Sequence, residues 1–178
     1  MGKMRDYNSI TMQPKFFLEN QIGVFLQKLG LKLILAESCT GGLISHRITN
    51  IPGSSDYFLG CHVAYSYEAK ETWLGVRHAT LSQFGAVSRE TVIEMARGAR
   101  SSLQNYFSLE KVIGISVSGI AGPGGGTQDK PVGTVWVGLS AARQESAWQF
   151  FWKGNREENK AQSTQAALQI LLDYLKTL

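Results

Sequence analysis

The sequence predicts an α/β fold: a three-layer α/β/α sandwich built on a mixed sheet. Two observations support this prediction. Short apolar segments that fit buried strands alternate with amphipathic segments over the first two thirds of the chain, as in parallel strands joined by helical crossovers. Two more strand-like segments then follow each other across a short polar turn, which indicates an antiparallel hairpin added to the sheet.

Boundary residues predict the first helix, the first strand and the second helix. Pro14 begins a segment with apolar residues at helical spacing, and Gly30 ends it, as expected for a first-turn proline and a glycine after the last turn. The apolar residues 31–36 predict a buried strand. A turn at residues 37–42 then leads into a helix at residues 43–49.

The remaining elements have the same kinds of signal. A strand at 61–66 precedes a helix at 67–74 that Ser66 is placed to cap, and Ser88 is placed to cap a longer helix that continues to Leu103. Asn155, with a glutamate three residues later, predicts a capping box at the start of the last helix. The other predicted strands are residues 112–118, 132–140 and 147–152.

Composition and charge narrow the class of protein. A chain of 178 residues with 43% hydrophobic residues fits one domain, which we place at residues 14–178 after a disordered tail at 1–13. No apolar run is long enough for a membrane span, and no signal peptide is visible. The net charge of +4 is scattered, so we expect no nucleic-acid partner. With two cysteines, the chain fits a reducing cytoplasm.

Two glycine-containing turns that follow predicted strands are the candidate ligand sites, because ligands bind beyond the carboxyl ends of strands in open α/β sheets. In the first, Ser38 lies on a strand-to-helix turn, and the N–H groups of Thr40, Gly41 and Gly42 are expected to point outward. That arrangement suits a nucleophile beside an oxyanion hole, or an anion site; a tight turn in which Ser38 caps the helix is the alternative.

The second turn, residues 119–127, has five glycines in nine positions. Positions without a Cβ let backbone N–H groups approach a phosphate closely, although a flexible hairpin loop has the same composition. Neither the Walker A pattern nor the Rossmann glycine pattern is present.

A serine nucleophile needs a base, and none of the three histidines is suitably placed. Lys70 is the candidate, since burial lowers a lysine pKa; the alternative is a solvated lysine paired with Glu68 or Glu71. Ser66 and Cys39 are rival nucleophiles. The cysteines and histidines lack metal-ligand spacing, so we expect no metal and no cofactor.

Several segments, in order and at similar spacing over roughly residues 14–178, together resemble the CinA C-terminal domain family, whose stand-alone members include nicotinamide-nucleotide amidohydrolases. The matching segments include AESCTGG (36–42), IPGSSDYF (51–58), VAYSYEAK (63–70), SGIAGPGGGTQDKPVGTVWV (118–137) and GNR (154–156). Tyr67 stands where the family usually has Asn, and Lys160 where many members have a second Arg.

The resemblance implies a CinA C-terminal-like α/β/α domain that self-associates as a dimer or a higher homo-oligomer. It also implies a serine–lysine amidase that converts nicotinamide mononucleotide (NMN) to nicotinate mononucleotide and ammonia. Catalysis falls on Ser38, Lys70 and Tyr65. Substrate binding falls on Thr40, Gly41, Gly42, Ser118, Gly119, Gly122, Gly124, Gly125, Gly126, Thr127 and Arg156. A non-catalytic module that binds a nucleotide or a partner, linked to competence or DNA damage, is the alternative.

Overall fold

The computed structural model describes residues 17–178, so the predicted tail at 1–13 and the predicted helix start at Pro14 lie outside the described residues. Within that range the chain forms six α-helices and five strands. The helices are α1 (Phe17–Leu29), α2 (Leu43–Thr49), α3 (Tyr67–Leu74), α4 (His78–Phe84), α5 (Arg89–Ser101) and α6 (Arg156–Leu175). The strands are β1 (Lys32–Glu37), β2 (Phe58–Val63), β3 (Val112–Gly119), β4 (Thr134–Ser140) and β5 (Glu145–Phe151).

All five strands belong to one mixed sheet with the order β2-β1-β3-β4-β5. β1 runs parallel to both β2 and β3, while β4 pairs antiparallel with β3 and with β5. The predicted mixed sheet with a terminal hairpin is therefore confirmed.

Strand β1 is apolar on both faces because helices cover both faces of the sheet. Leu33 and Leu35 join a core cluster with residues of α1, α2 and α6, whereas Ile34 and Ala36 join a second cluster with residues of α3, α4 and α5. These two clusters are the two interfaces between three layers, which confirms the predicted sandwich. No helix within residues 17–178 combines the length and the apolar composition that crossing a bilayer requires.

The predicted helix caps are confirmed. The Ser66 hydroxyl accepts a hydrogen bond from the Ala69 N–H, and Ser88 caps α5 through the N–H of Thr91. The Asn155 side chain and Glu158 form a reciprocal capping box at the start of α6. A capping side chain satisfies N–H groups that have no partner within the helix, so its signal is local and readable from sequence.

One prediction of local structure was wrong, and one helix was not predicted. The predicted strand at 61–66 lies three residues earlier, at Phe58–Val63, because the chain leaves the sheet after Val63 and its next two carbonyls turn toward Lys70. Helix α4 was missed. Its N-cap, Arg77, has no side-chain cap, and only Thr80 and Leu81 of its seven residues are buried, so neither a cap nor a long apolar period marks it.

Candidate active site

The candidate nucleophile lies at the carboxyl edge of the parallel part of the sheet. Glu37, the last residue of β1, pairs with Val63 of β2 and with Val117 of β3, so the next residue, Ser38, lies between the ends of three strands. The Ser38 N–H donates to the Val117 carbonyl at 3.0 Å. Side chains alternate along a strand, so Ser38 projects to the face opposite Glu37, toward the layer that contains α3.

Lys70 on α3 is directed at this serine. Its Nζ lies 3.0 Å from Ser38 Oγ and also donates to the carbonyls of Ala64 at 2.8 Å and Tyr65 at 3.2 Å. Helical side chains tilt toward the helix N-terminus, which brings the amine from the first turn of α3 back to the end of β2. The residue is 1% exposed. Lys70 is therefore not a solvated lysine paired with Glu68 or Glu71, which was the alternative.

Burial sets the protonation of the lysine and of the nearby thiol. Removal from water lowers the pKa of Lys70 to about 8, because the charged ammonium loses its hydration. The same effect raises the pKa of the buried Cys39 thiol to about 12. A thiol with that pKa stays protonated near neutral pH, so Cys39 is a poor rival to Ser38. The other rival, Ser66, is engaged as the cap of α3.

Sequence reasoning missed the role of Glu37, whose side chain is completely buried. Its Oε2 accepts from the Thr40 hydroxyl at 2.7 Å and from the N–H groups of Gly42 at 3.0 Å and Ile44 at 3.1 Å. Its Oε1 accepts from the Ser45 N–H at 2.8 Å. The sequence did contain one signal of this role. The N-cap of α2 is Gly42, which has no side chain to accept from the first N–H groups of the helix, so another residue had to supply that acceptor.

The glycines of this turn are used differently from the prediction. Gly41 and Gly42 have φ values of +63° and +96°, which L side chains rarely adopt. The Gly41 N–H donates to the Ser38 carbonyl and the Gly42 N–H to Glu37, so the expectation that both groups point outward was wrong. Of the three predicted N–H groups, that of Thr40 alone has no acceptor within residues 17–178, which makes it the candidate oxyanion donor among them.

Arg156 joins two of the predicted site segments. This first residue of α6 donates to the Gly122 carbonyl at 2.7 Å and to the Tyr65 hydroxyl at 2.9 Å. In the described part of the chain, Arg156 forms no ion pair with the neighbouring Glu157 or Glu158. Glu158 instead accepts from the Asn155 N–H at 2.8 Å. The structure thus brings Tyr65, Arg156 and the glycine loop together at the edge where Ser38 lies.

Close packing accounts for several glycines of the second turn. A Cβ on Gly119 would lie 2.5 Å from a Val135 methyl, and one on Gly122 would lie 2.6 Å from a Val132 methyl. Gly124, Gly125 and Gly126 are exposed at the loop tip. The Thr127 hydroxyl accepts from the Lys130 N–H and closes a local turn. Ser118 is 1% exposed and follows Val117 on β3, level with Ser38.

A second cation lies beside the nucleophile turn. The Nζ of Lys160 is 3.8 Å from the position that a Cβ on Gly41 would take. Lys160 follows Arg156 by one turn of α6, so the two side chains share a helix face. Among the described residues, no group of three or more histidine, cysteine, aspartate or glutamate side chains is arranged to hold a metal ion.

Comparison with known proteins identifies the family. The model of the CinA C-terminal domain matches residues 15–175. The chain belongs to the CinA C-terminal domain family. A CinA-like protein from Chloroherpeton thalassium is 48% identical over 166 residues, which cover 89% of this chain and 37% of the relative. The chain spans little more than a third of the length of such relatives.

A shorter relative and a solved structure match over almost their whole length. The nicotinamide-nucleotide amidohydrolase PncC of Escherichia coli K12 is 44% identical over 155 residues, covering 86% of this chain and 90% of that protein. The crystal structure of a competence-damaged protein (CinA) superfamily member from Klebsiella pneumoniae superposes with a TM-score of 0.84 at 31% identity. The match covers 93% of this chain and all of that one.

Proposed function

We propose that this protein is a metal-independent serine–lysine amidohydrolase that converts NMN to nicotinate mononucleotide and ammonia. One observation carries the proposal: Lys70 Nζ lies 3.0 Å from Ser38 Oγ in a buried site that lowers the pKa of the amine to about 8. A buried lysine without a carboxylate partner is costly to fold, and a module that only binds a ligand has no need of it. The similarity to the amidohydrolase PncC supports the same reaction.

Acylation begins with neutral Lys70, which takes the proton of the Ser38 hydroxyl as Oγ bonds to the carboxamide carbon. The Thr40 N–H stabilises the oxyanion that forms. Lys70 then gives its proton to the amide nitrogen, the C–N bond breaks, and ammonia leaves. In deacylation Lys70 takes a proton from water, the hydroxide attacks the acyl carbon, and Ser38 recovers its proton as the carboxylic acid is released. Tyr65 is proposed to orient the amine, because its carbonyl accepts a hydrogen bond from Lys70 Nζ.

The nucleotide phosphate is assigned to Arg156 and the exposed loop glycines. A guanidinium offers two parallel N–H donors to a phosphate, and Arg156 already lies against the loop at Gly122. Lys160 adds a second positive charge one turn further along α6. Ser118, Gly119 and Thr127 complete the proposed lining at the end of β3 and the tip of the loop.

The decisive experiment is to incubate the purified protein with NMN and to measure ammonia and nicotinate mononucleotide. We expect turnover by the wild type and by Ser146→Ala, a control on the distant edge strand β5. We expect none by Ser38→Ala, whose fold is checked by circular dichroism. Near-normal turnover by Ser38→Ala would refute the nucleophile. Binding of NMN by the wild type without ammonia release would favour the non-catalytic module.

Two further properties are proposed with the function. We place the enzyme in the cytoplasm, a compartment that suits the free thiols of Cys39 and Cys61. We also expect it to self-associate, as its resemblance to the family implies. Light scattering during size exclusion gives the mass directly, and a monomer at micromolar concentration contradicts the self-association.

A further inference from the structure

The completely buried carboxylate of Glu37 takes no part in the reaction steps proposed above. It accepts four hydrogen bonds within 2.7–3.1 Å, from the Thr40 hydroxyl and from the N–H groups of Gly42, Ile44 and Ser45. The Cys61 thiol lies 3.5 Å from Oε1 as well. All of these donors except the thiol come after Ser38 in the chain. Glu37 therefore ties the end of β1 to the start of α2 across the nucleophile.

We propose that Glu37 is the positioning residue for Ser38, an inference that rests on the amidohydrolase function proposed above. Strand alternation puts the two side chains on opposite faces of the sheet, so Glu37 does not face the reacting atoms. Its effect is transmitted through the turn. The Ser38 N–H is held by Val117 and the Ser38 carbonyl by the Gly41 N–H, and Glu37 fixes the residues that follow. Ser38 Oγ is thereby kept within hydrogen-bond distance of Lys70 Nζ.

The Glu37 carboxylate also occupies the start of α2. The free N–H groups of a helix N-terminus attract negative charge, and here a carboxylate of the protein already takes those of Gly42, Ile44 and Ser45. A substrate phosphate at the same place would meet that negative charge instead of free donors. This agrees with the phosphate site proposed above, which is formed by Arg156 and Lys160 on α6.

Glu37→Gln is the sharpest test because it keeps the shape and removes the charge. A carboxylate accepts with both oxygens, whereas an amide has one acceptor and turns two N–H donors toward the donors of α2. We expect kcat to fall about 10- to 100-fold per titrated active site, since small displacements of a reacting group cost that much. We expect KM for NMN and the acid limb of the pH profile to stay unchanged, because neither phosphate contacts nor Lys70 are altered.

Active sites are titrated with a small serine-reactive fluorophosphonate, and the rate at which it labels Ser38 is followed by mass spectrometry. That rate needs only the nucleophile and its base, so it reports positioning without NMN. Glu94→Gln is the matched control. Glu94 is also a buried carboxylate, held by Arg77 and Thr80, but it lies on α5 away from Ser38. We expect this control to lower the melting temperature while leaving kcat per titrated site and the labelling rate unchanged.

If Glu37→Gln fails to fold, Thr40→Val removes one donor to the same carboxylate and is expected to slow labelling several-fold. Wild-type labelling rates in Glu37→Gln, with only the melting temperature lowered, would show a purely structural carboxylate and overturn the proposal. A shifted acid limb would overturn it too, by making Glu37 part of the proton transfer. A wild type that neither labels nor releases ammonia refutes the proposed function itself, which is a different outcome.

Discussion

The acid limb of the pH–rate profile is the most direct test of Lys70 as the base. Only the neutral amine can take the Ser38 proton, and burial lowers the pKa of Lys70 to about 8. Activity is therefore expected to rise with pH and to level off above 8. Below that value the neutral fraction falls about tenfold per pH unit, so roughly a tenth of the enzyme is competent at pH 7. A lysine with an ordinary pKa would be roughly 300-fold less neutral at that pH.

The measurement is kcat/KM for ammonia release between pH 5.5 and 9.5, since this ratio reports ionisations of the free enzyme and free substrate. The phosphate of NMN titrates near pH 6 and would add its own limb. Nicotinamide riboside lacks the phosphate, so a limb near 8 that persists with the riboside belongs to the enzyme. Circular dichroism at each pH shows that the fold is retained.

A flat profile across this range would refute the assignment, and so would a limb near 4 or 6.5, which would indicate a carboxylate or a histidine. Lys70→Arg provides the companion variant. Its guanidinium keeps a positive charge at the site but stays protonated at every pH in the series. We expect no turnover from it at any of these pH values.

Three further predictions test other parts of the site. Ser38→Ala and Lys70→Ala act on one nucleophile–base unit, so the double variant is expected to turn over NMN scarcely more slowly than either single variant; additive losses would contradict the dyad. Arg156→Ala is expected to lower kcat/KM for NMN roughly 10- to 150-fold more than for nicotinamide riboside, and an equal loss on both would mean that Arg156 supports the fold. Tyr65→Phe removes only the hydroxyl that accepts from Arg156 and is the control for that contact. Burial of charged Lys70 lowers the free energy of unfolding, and this reduction is complete below pH 8. It disappears as the pH rises from 8 toward the ordinary lysine pKa, because the folded protein then holds the neutral amine. Urea titration should therefore show the free energy of unfolding of the wild type rising by about 3 kcal/mol relative to that of Lys70→Met between pH 7 and 10.5. A difference between the two proteins that stays constant with pH would refute the lowered pKa.

The sequence by itself determined the features that depend on neighbouring residues. Apolar periodicity and capping residues such as Ser66, Ser88 and Asn155 were enough to predict most helices, because the groups that a cap satisfies lie within one turn of it. The strand-turn-helix pattern around Ser38 indicated a candidate nucleophile for the same reason. Where local signals were weak, as in α4, the prediction failed.

Only the tertiary structure decided how the site is assembled. Ser38 and Lys70 are 32 residues apart, and Arg156 and Tyr65 are 91 apart, so no local pattern specifies their contacts. The burial that lowers the pKa of Lys70 comes from packing of α3 against the end of the sheet, and neighbouring residue types do not reveal it. The capture of the α2 N–H groups by Glu37 depends on the angle at which the chain leaves β1. That angle follows from strand pairing and helix packing, which are properties of the whole fold.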